Sequence, residues 1–280
     1  NKYTAYSLLG KVLLYQDKFS ESAAAFDNVI GIYSLVDDYG DQFLRFGENG
    51  PESVFEIQYS NQSNWYDWGC AHCSEGNYAI IMNGPRGWSG PEYAQGWSFN
   101  VPTAEFYNSF HPDDLRRDAT ILDIESFASA TGATYSEGYD HTGYFNNKYI
   151  PRAGESGGQT ELNYLTNFRI IRYSDVLLMA AEAMVRGNLD EGQARDYLNM
   201  VRNRAGLDNV DSSGNALLED IYADRRSEMM GEGHRFFDLV RTGRAAENID
   251  GFTAGKHEVF PIPLEEMQFA NGNWEQNSGY

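Results

Sequence analysis

The sequence predicts a mainly α-helical protein, in which paired helices form a scaffold and a long loop-rich insertion contains short β-strands. Apolar residues recur at helical spacing near both ends of the 280-residue chain. The segment between them, residues 37–165, holds most of the glycines and four of the five tryptophans. We therefore predict one fold with three regions: a helical hairpin over 1–36, a loop-rich aromatic segment on the ligand side over 37–165, and helices with an extended tail over 166–280.

The first helical pair spans residues 3–30, with a tight turn at residues 16–18. The small Gly10 is expected to let the two helices approach, with Phe26 filling the gap, as in a tetratricopeptide hairpin. The apolar positions at helical spacing, expected to face inward, are Tyr6, Leu9, Leu13 and Leu14 in the first helix, and Phe19, Ala23, Phe26 and Ile30 in the second.

A second hairpin is predicted from Tyr173 to Arg186 and from Leu189 to Ala205, closed by Gly206 at the C′ position. The alternating run over residues 53–59 predicts a strand inside the insertion.

The C-terminal part begins with one or two helices rich in arginine and acid over residues 216–241, which end at Gly243. Two prolines keep residues 259–263 out of a helix. Residues 264–269 can then form one or two helical turns.

The acidic composition excludes several functions. Asp and Glu outnumber Lys and Arg by 41 to 21, which gives a net charge of −20. A protein that neutralises phosphates needs a basic face, so neither nucleic acid nor an anionic lipid surface is an expected partner. The longest mainly apolar stretch, Val176–Val185, is about half of the roughly 20 residues that span a bilayer.

Seven motifs in the same order along the chain resemble the SusD/RagB family of Bacteroidetes outer-membrane nutrient-binding lipoproteins. Asp175 stands where the family usually has Glu, and Ser278 stands where it often has Pro. The matching segments are residues 52–59, 96–103, 118–121, 167–183, 223–241, 259–263 and 276–280.

The resemblance implies a scaffold of tetratricopeptide-like hairpins with a shallow glycan site formed by irregular segments on one side. It implies a non-enzymatic protein without a cofactor, which captures an oligosaccharide for a SusC-like TonB-dependent transporter. The expected location is the surface of the outer membrane, through a lipid anchor on an N-terminal cysteine. The opening Asn1–Thr4 has no Met, signal core or obvious N-cap, so we expect that cysteine and the first helices to precede this chain.

Two acids in the Arg-rich helix allow an enzymatic alternative. Glu228 and Glu232 are four residues apart with His234 nearby, so they could serve a glycoside hydrolase on a helical scaffold. Two acids on adjacent turns flank a sugar ring poorly. We favour a partly buried ion network, in which the acids, together with Asp238, are neutralised by Arg225, Arg226, Arg235 and Arg241.

The two cysteines, Cys70 and Cys73, lie in one loop. A zinc site could recruit His72 but would need a distant fourth ligand, and the flanking residues do not suit a redox dithiol. In a cell-surface protein a local disulfide is favoured over reduced thiols. No metal site is predicted: the acidic runs 37–41 and 208–214 lack the spacing of a calcium loop, and residues 111–117 are expected to form a surface turn with ion pairs.

The tryptophans fall into two groups. Trp97 lies in a shared motif, so core packing is expected for it. Trp65, Trp68 and Trp88 lie among polar residues outside those motifs, where large rings are poor loop formers unless a ligand stacks on them. The predicted ligand-binding residues are therefore the aromatics Trp65, Tyr66, Trp68 and Trp88 and the polar groups Asn64, Asp67 and Arg86.

The preferred function is thus glycan binding. Besides the hydrolase, a tetratricopeptide scaffold that binds peptides in a concave groove is an alternative. The long aromatic segment speaks against it, because a pure solenoid has no use for such a segment.

Overall fold

A computed structural model describes residues 1–62, 69, 75–156 and 163–280. The described residues are mostly helical with few short strands, as predicted. The chain divides into two compact units, Asn1–Glu232 and Gly233–Tyr280. The first unit contains both hairpins and the loop-rich region.

The first hairpin consists of α1 (Lys2–Tyr15) and α2 (Phe19–Asp27), which confirms the predicted pair. The expectation that the first helix has no N-cap was wrong. The side-chain oxygen of Asn1 accepts hydrogen bonds from the backbone N–H groups of Tyr3 at 2.9 Å and Thr4 at 3.0 Å, so it satisfies two donors that α1 leaves unpaired.

Close packing at Gly10 holds the hairpin together, as predicted. A Cβ at this position would lie 2.6 Å from the ring of Phe26, which is fully buried. The predicted inward face of α1 was partly wrong, because Tyr6 and Leu9 are exposed whereas Leu14 is buried. The small side of α1 faces α2 because only a small residue fits against Phe26.

The loop-rich region contains only short helices and strands among its described residues. In chain order the described part of the region contains two 3₁₀ helices (Asp41–Phe43 and Arg45–Gly47), β1 (Ser53–Ile57), α3 (Ala79–Asn83), β2 (Arg86–Ser89), α4 (Ala104–Ser109), α5 (Arg116–Thr120), β3 (Ile121–Asp123), α6 (Ile124–Thr131), β4 (Thr134–Ser136) and β5 (Tyr144–Asn146). The strand β6 (Phe168–Arg172) follows the region. The strands form three antiparallel pairs, β1 with β6, β2 with β4, and β3 with β5.

The second hairpin consists of α7 (Tyr173–Arg186) and α8 (Glu191–Arg204), also as predicted. Gly206 follows with a φ of 78°, a conformation that glycine adopts at no steric cost. Every residue of α7 except Arg186 is buried. Because α7 packs against α1, α2, α8 and α9 (Gly214–Glu228), it forms the centre of the main hydrophobic core.

The second unit contains α10 (Arg235–Arg241), α11 (Ala245–Asn248) and α12 (Leu264–Phe269). Gly243 follows α10 with a φ of 71°, and the chain before α12 is not helical, so both predicted boundaries are confirmed.

A group of buried charges, which we call the ion cluster, lies inside the first unit. Its members come from the loop-rich region and from the helical hairpins alike. The side chain of each member is less than a tenth exposed; the members are Glu52, Asp114, Arg116, Lys148, Arg172, Arg204, Asp224, Glu228 and Glu232.

Glu228 accepts charged hydrogen bonds from three arginines. The distances are 2.6 Å to Arg204, 2.8 Å to Arg172 and 3.4 Å to Arg116. Arg172 also donates to Glu232 at 2.8 Å and to Glu52 at 2.9 Å. Such bonds are strong because both partners are ionised and removed from water.

The predicted network was right in kind, and the pair of Arg241 with Asp238 is observed. The predicted partners of Glu228 were wrong, because its observed partners lie outside its own helix and Arg225 pairs with Asp175.

The prediction of a surface turn over residues 111–117 was also wrong at two positions. Asp114 and Arg116 are buried and joined at 2.7 Å. Arg116 further donates to Asp224 at 2.8 Å, which is how this turn joins the ion cluster.

Burial and charge act in opposite directions on Glu228. Burial disfavours its ionised form, but the guanidinium groups of Arg204, Arg172 and Arg116 outweigh that effect and hold the pKa well below its usual range. For Lys148, burial outweighs the attraction of Glu232 and lowers the pKa to about 8.

We expect Glu228→Gln to lower the free energy of unfolding by about 3–5 kcal/mol, because it leaves buried guanidinium groups without their counter-charge. Urea denaturation, monitored by circular dichroism, measures the free energy of unfolding. The control is Glu21→Gln, which changes an exposed carboxylate of α2 and for which a change within about 0.5 kcal/mol is expected. Equal effects of the two variants would contradict the role of the ion cluster.

The lowered pKa of Glu228 predicts acid sensitivity. The unfolded chain binds this proton at the ordinary pKa of 4.5, whereas the folded chain resists it. The stabilisation is therefore complete above that pH and is lost as the pH falls through the lower folded pKa. The urea midpoint of the wild type should fall more steeply below pH 4.5 than that of Glu228→Gln. Parallel pH profiles would refute this assignment.

Candidate functional site

An open cavity of about 400 Å³ lies in the loop-rich region. This volume is within the range of about 300–1,000 Å³ that is typical of small-ligand sites. Aromatic and charged side chains share its wall. The lining residues are Arg86, Trp97, Ser98, Phe99, Glu137, Gly138 and Tyr139.

The pairing of β2 with β4 brings two parts of the wall together. Arg86 at the start of β2 lies opposite Ser136 at the end of β4. The residues after β4, Glu137 to Tyr139, therefore lie beside Arg86 although about 50 positions separate them along the chain.

Main-chain hydrogen bonds fix the third part of the wall, residues 96–99. Trp97 N–H donates to the carbonyl of Ile81, and Phe99 N–H donates to that of Met82, both at 2.8 Å. A Cβ on Gly96 would lie 2.3 Å from the backbone of Gly84, and a Cβ on Gly84 would lie 2.4 Å from the ring of Pro151, so neither position has room for a side chain. Residues 96–99 are thus held against the end of α3 by their backbone.

Left-handed backbone turns flank Phe99. Ser98 has a φ of 58° and Asn100 a φ of 53°. Between them the Phe99 side chain is 51% exposed. Its ring meets that of Trp97 nearly at a right angle, with 77° between the planes and 6.3 Å between the centroids. The two rings therefore form two adjoining walls of the cavity rather than one flat platform.

Arg86 is oriented by this same segment. Its Nε donates to the carbonyl of Trp97 at 2.7 Å, and its guanidinium carbon lies 5.7 Å from the centroid of the Phe99 ring. Its terminal nitrogens form no hydrogen bond with the described residues. The group is thus held in place with donors to spare.

The segment after β4 contributes an acid and a further ring to the wall. Glu137 is the one carboxylate among the described lining residues, and it is exposed. Tyr139 is 93% exposed, and the left-handed Asp140 follows it with a φ of 52°. Neither residue was among those singled out from the sequence.

The sequence-predicted ligand residues lie in different places. Arg86 lines the cavity. Trp88 lies outside the lining, with its ring 6.0 Å from that of Tyr93 and 5.9 Å from that of Phe127. Asn64, Trp65, Tyr66, Asp67 and Trp68 lie outside the described residues, as do Cys70 and Cys73.

Trp97 has two roles in the structure. One side packs against a core cluster that includes Tyr39 and Ile80, as the sequence predicts. The ring is only partly buried and also lines the cavity, which the core assignment missed. The polar-aromatic segment around Phe99 was the signal that could have indicated this.

The acid pair of the hydrolase alternative is not among the residues that line this cavity. Glu228 and Glu232 are buried in the ion cluster, and both accept hydrogen bonds from Arg172. In the part of the chain that the structure describes, no group of His, Cys, Asp and Glu has the arrangement of a metal site. None of the helices described combines the length and apolar character that crossing a membrane requires.

Comparison with known proteins gives consistent matches. A model of the SusD family matches residues 123–259. The SusD-like protein P2 of Formosa agariphila is 25% identical to all of this chain, over 60% of its own length.

Two solved structures share the fold closely. A laminarin-binding SusD-like protein is 39% identical, with a TM-score of 0.90 over all of this chain and 63% of that chain. Surface glycan-binding protein A from Bacteroides thetaiotaomicron, in complex with laminarihexaose, is 32% identical, with a TM-score of 0.87 over 97% of this chain and 62% of that chain.

This chain therefore spans about three-fifths of the length of these relatives. The family model, the relatives and the shared helical architecture agree with the motifs read from the sequence. The chain is therefore similar to the SusD family over residues 123–259, and to SusD-like proteins along its whole length.

Proposed function

We propose that the protein binds a glycan at the cell surface and that the cavity beside β2 and β4 holds part of that glycan. The observation that carries the proposal is the pair of partly exposed rings, Trp97 and Phe99, beside the oriented guanidinium of Arg86. A sugar ring offers an apolar C–H face to an aromatic ring and hydroxyl groups to polar partners.

Each wall has a chemical role in this proposal. Phe99 offers the more exposed ring face, and Trp97 forms the adjoining wall. The terminal nitrogens of Arg86 donate to sugar hydroxyl oxygens, and Glu137 accepts from hydroxyl groups. Because one similar protein binds laminarin and another was solved with laminarihexaose, laminarihexaose is the first ligand to test.

The cavity supports holding a glycan rather than cleaving it. Glycosidases place two carboxyl groups across the scissile bond, about 5–9.5 Å apart. Among the described lining residues Glu137 is the one carboxylate.

We expect no release of reducing ends from laminarin, as measured by a reducing-sugar assay, and sustained release would contradict a purely binding role.

The similarity to the SusD family supports a wider setting for this proposal. We propose that the whole protein is an outer-membrane lipoprotein that passes its glycan to a SusC-like TonB-dependent transporter. The alternative of a peptide-binding scaffold is less well supported, because the cavity is built by the loop-rich region and not by the hairpins. The residues Asn64–Trp68 remain predicted contributors to ligand binding.

We expect Phe99→Ala to weaken laminarihexaose binding by about 1–3 kcal/mol, the scale of a lost anchor residue, without lowering the melting temperature. Phe99 is half exposed, so little packing is lost. Isothermal titration calorimetry measures the affinity. The control is Phe46→Ala, which removes a ring that is 72% exposed and outside the cavity, and it should leave the affinity unchanged.

Trp88→Ala should mainly lower stability, by about 2–4 kcal/mol, because its ring packs against Tyr93 and Phe127. Thermal and urea unfolding measure the change, and calorimetry measures binding by the folded fraction. A loss of affinity at unchanged stability would instead support the stacking role that the sequence predicted for Trp88.

A further inference from the structure

Glu137 and Arg86 place opposite charges on the walls of the same cavity. We propose that the cavity selects uncharged glycans over anionic ones, such as those that carry uronate groups, and that Glu137 is the residue that discriminates. This inference rests on the proposed function and names the class of glycan that the site accepts.

Arg86 alone would favour an anionic sugar. Guanidinium groups bind carboxylate and sulfate strongly, and Arg86 is the one cation among the described lining residues. The Nε of Arg86 already donates to the carbonyl oxygen of Trp97, which carries a partial negative charge. This hydrogen bond reduces the attraction of Arg86 for an anionic ligand.

Glu137 opposes that attraction directly. Arg86 on β2 pairs with Ser136 on β4, and Glu137 follows Ser136 directly along the chain. No ion pair between Arg86 and Glu137 is found among the described residues. Both charged groups therefore face the ligand separately, and a ligand carboxylate that approaches Arg86 also approaches Glu137.

An uncharged sugar satisfies both groups at once. A hydroxyl group can donate to Glu137 and accept from Arg86, whereas a carboxylate can only accept. The net charge of −20 adds a repulsive field for any anionic glycan before it reaches the cavity. Local and overall charge thus favour the same class of ligand.

The test compares laminarihexaose with the same hexasaccharide oxidised to carboxylate at C6, so that linkage and chain length are constant. Titration calorimetry of the wild type should show that the oxidised sugar binds at least about tenfold more weakly than laminarihexaose, a difference of roughly 1.4 kcal/mol. In Glu137→Gln the ratio of the affinity for laminarihexaose to that for the oxidised sugar should fall about three- to tenfold, which is the effect of one unit charge a few Å away. A change in hydroxyl binding caused by Glu137→Gln affects both sugars alike, so the ratio of their affinities isolates the effect of the charge.

The control is Glu105→Gln, which changes the net charge equally at an exposed residue outside the cavity. It should leave the ratio of affinities unchanged. A ratio near one in the wild type, or the same ratio in Glu137→Gln as in the wild type, would overturn the inference while glycan binding itself stands. A wild type that does not bind laminarihexaose would overturn the proposed function and this inference together.

Discussion

The buried charge of Glu228 is the constraint on which the first unit depends. A lone carboxylate in this position would be too costly to bury, and it is ionised only because Arg116, Arg172 and Arg204 surround it. These arginines belong to three different elements, α5, β6 and α8. The elements must therefore meet at one point, and no partial assembly leaves the charges satisfied.

The same point connects the helical scaffold with the cavity. The hydroxyl of Tyr39 donates to the backbone carbonyl of Glu228 at 2.7 Å. Tyr39 is also a member of the core cluster that includes Ile80, and Trp97 packs against that cluster. Packed side chains thus lead from the ion cluster to the wall of the cavity. The ring that faces the ligand side is supported from the centre of the unit rather than by the loop alone.

Local signals were enough to predict the helical part of this fold. Gly10 and Phe26 lie in one hairpin, and the apolar run of α7 identifies a buried helix without reference to any other segment. The partners of Glu228 could not be predicted in this way, because Arg116 is 112 positions away along the chain. The cavity could not be predicted from local signals either, because its walls are brought together by the pairing of two short strands, β2 with four residues and β4 with three. Arg86 was found because it lies among aromatic residues, and Glu137 was missed because its wall is brought there by that pairing.

The way residues 96–99 are held has an evolutionary consequence. Their position depends on backbone hydrogen bonds and on the contact between Gly84 and Gly96, and not on the side chains of Phe99 or Glu137. Substitutions at Phe99, or at Glu137 on the facing wall, can therefore change which ligand is recognised at little cost in stability. A scaffold of this kind allows recognition to diverge between paralogues while the architecture beneath it stays constant.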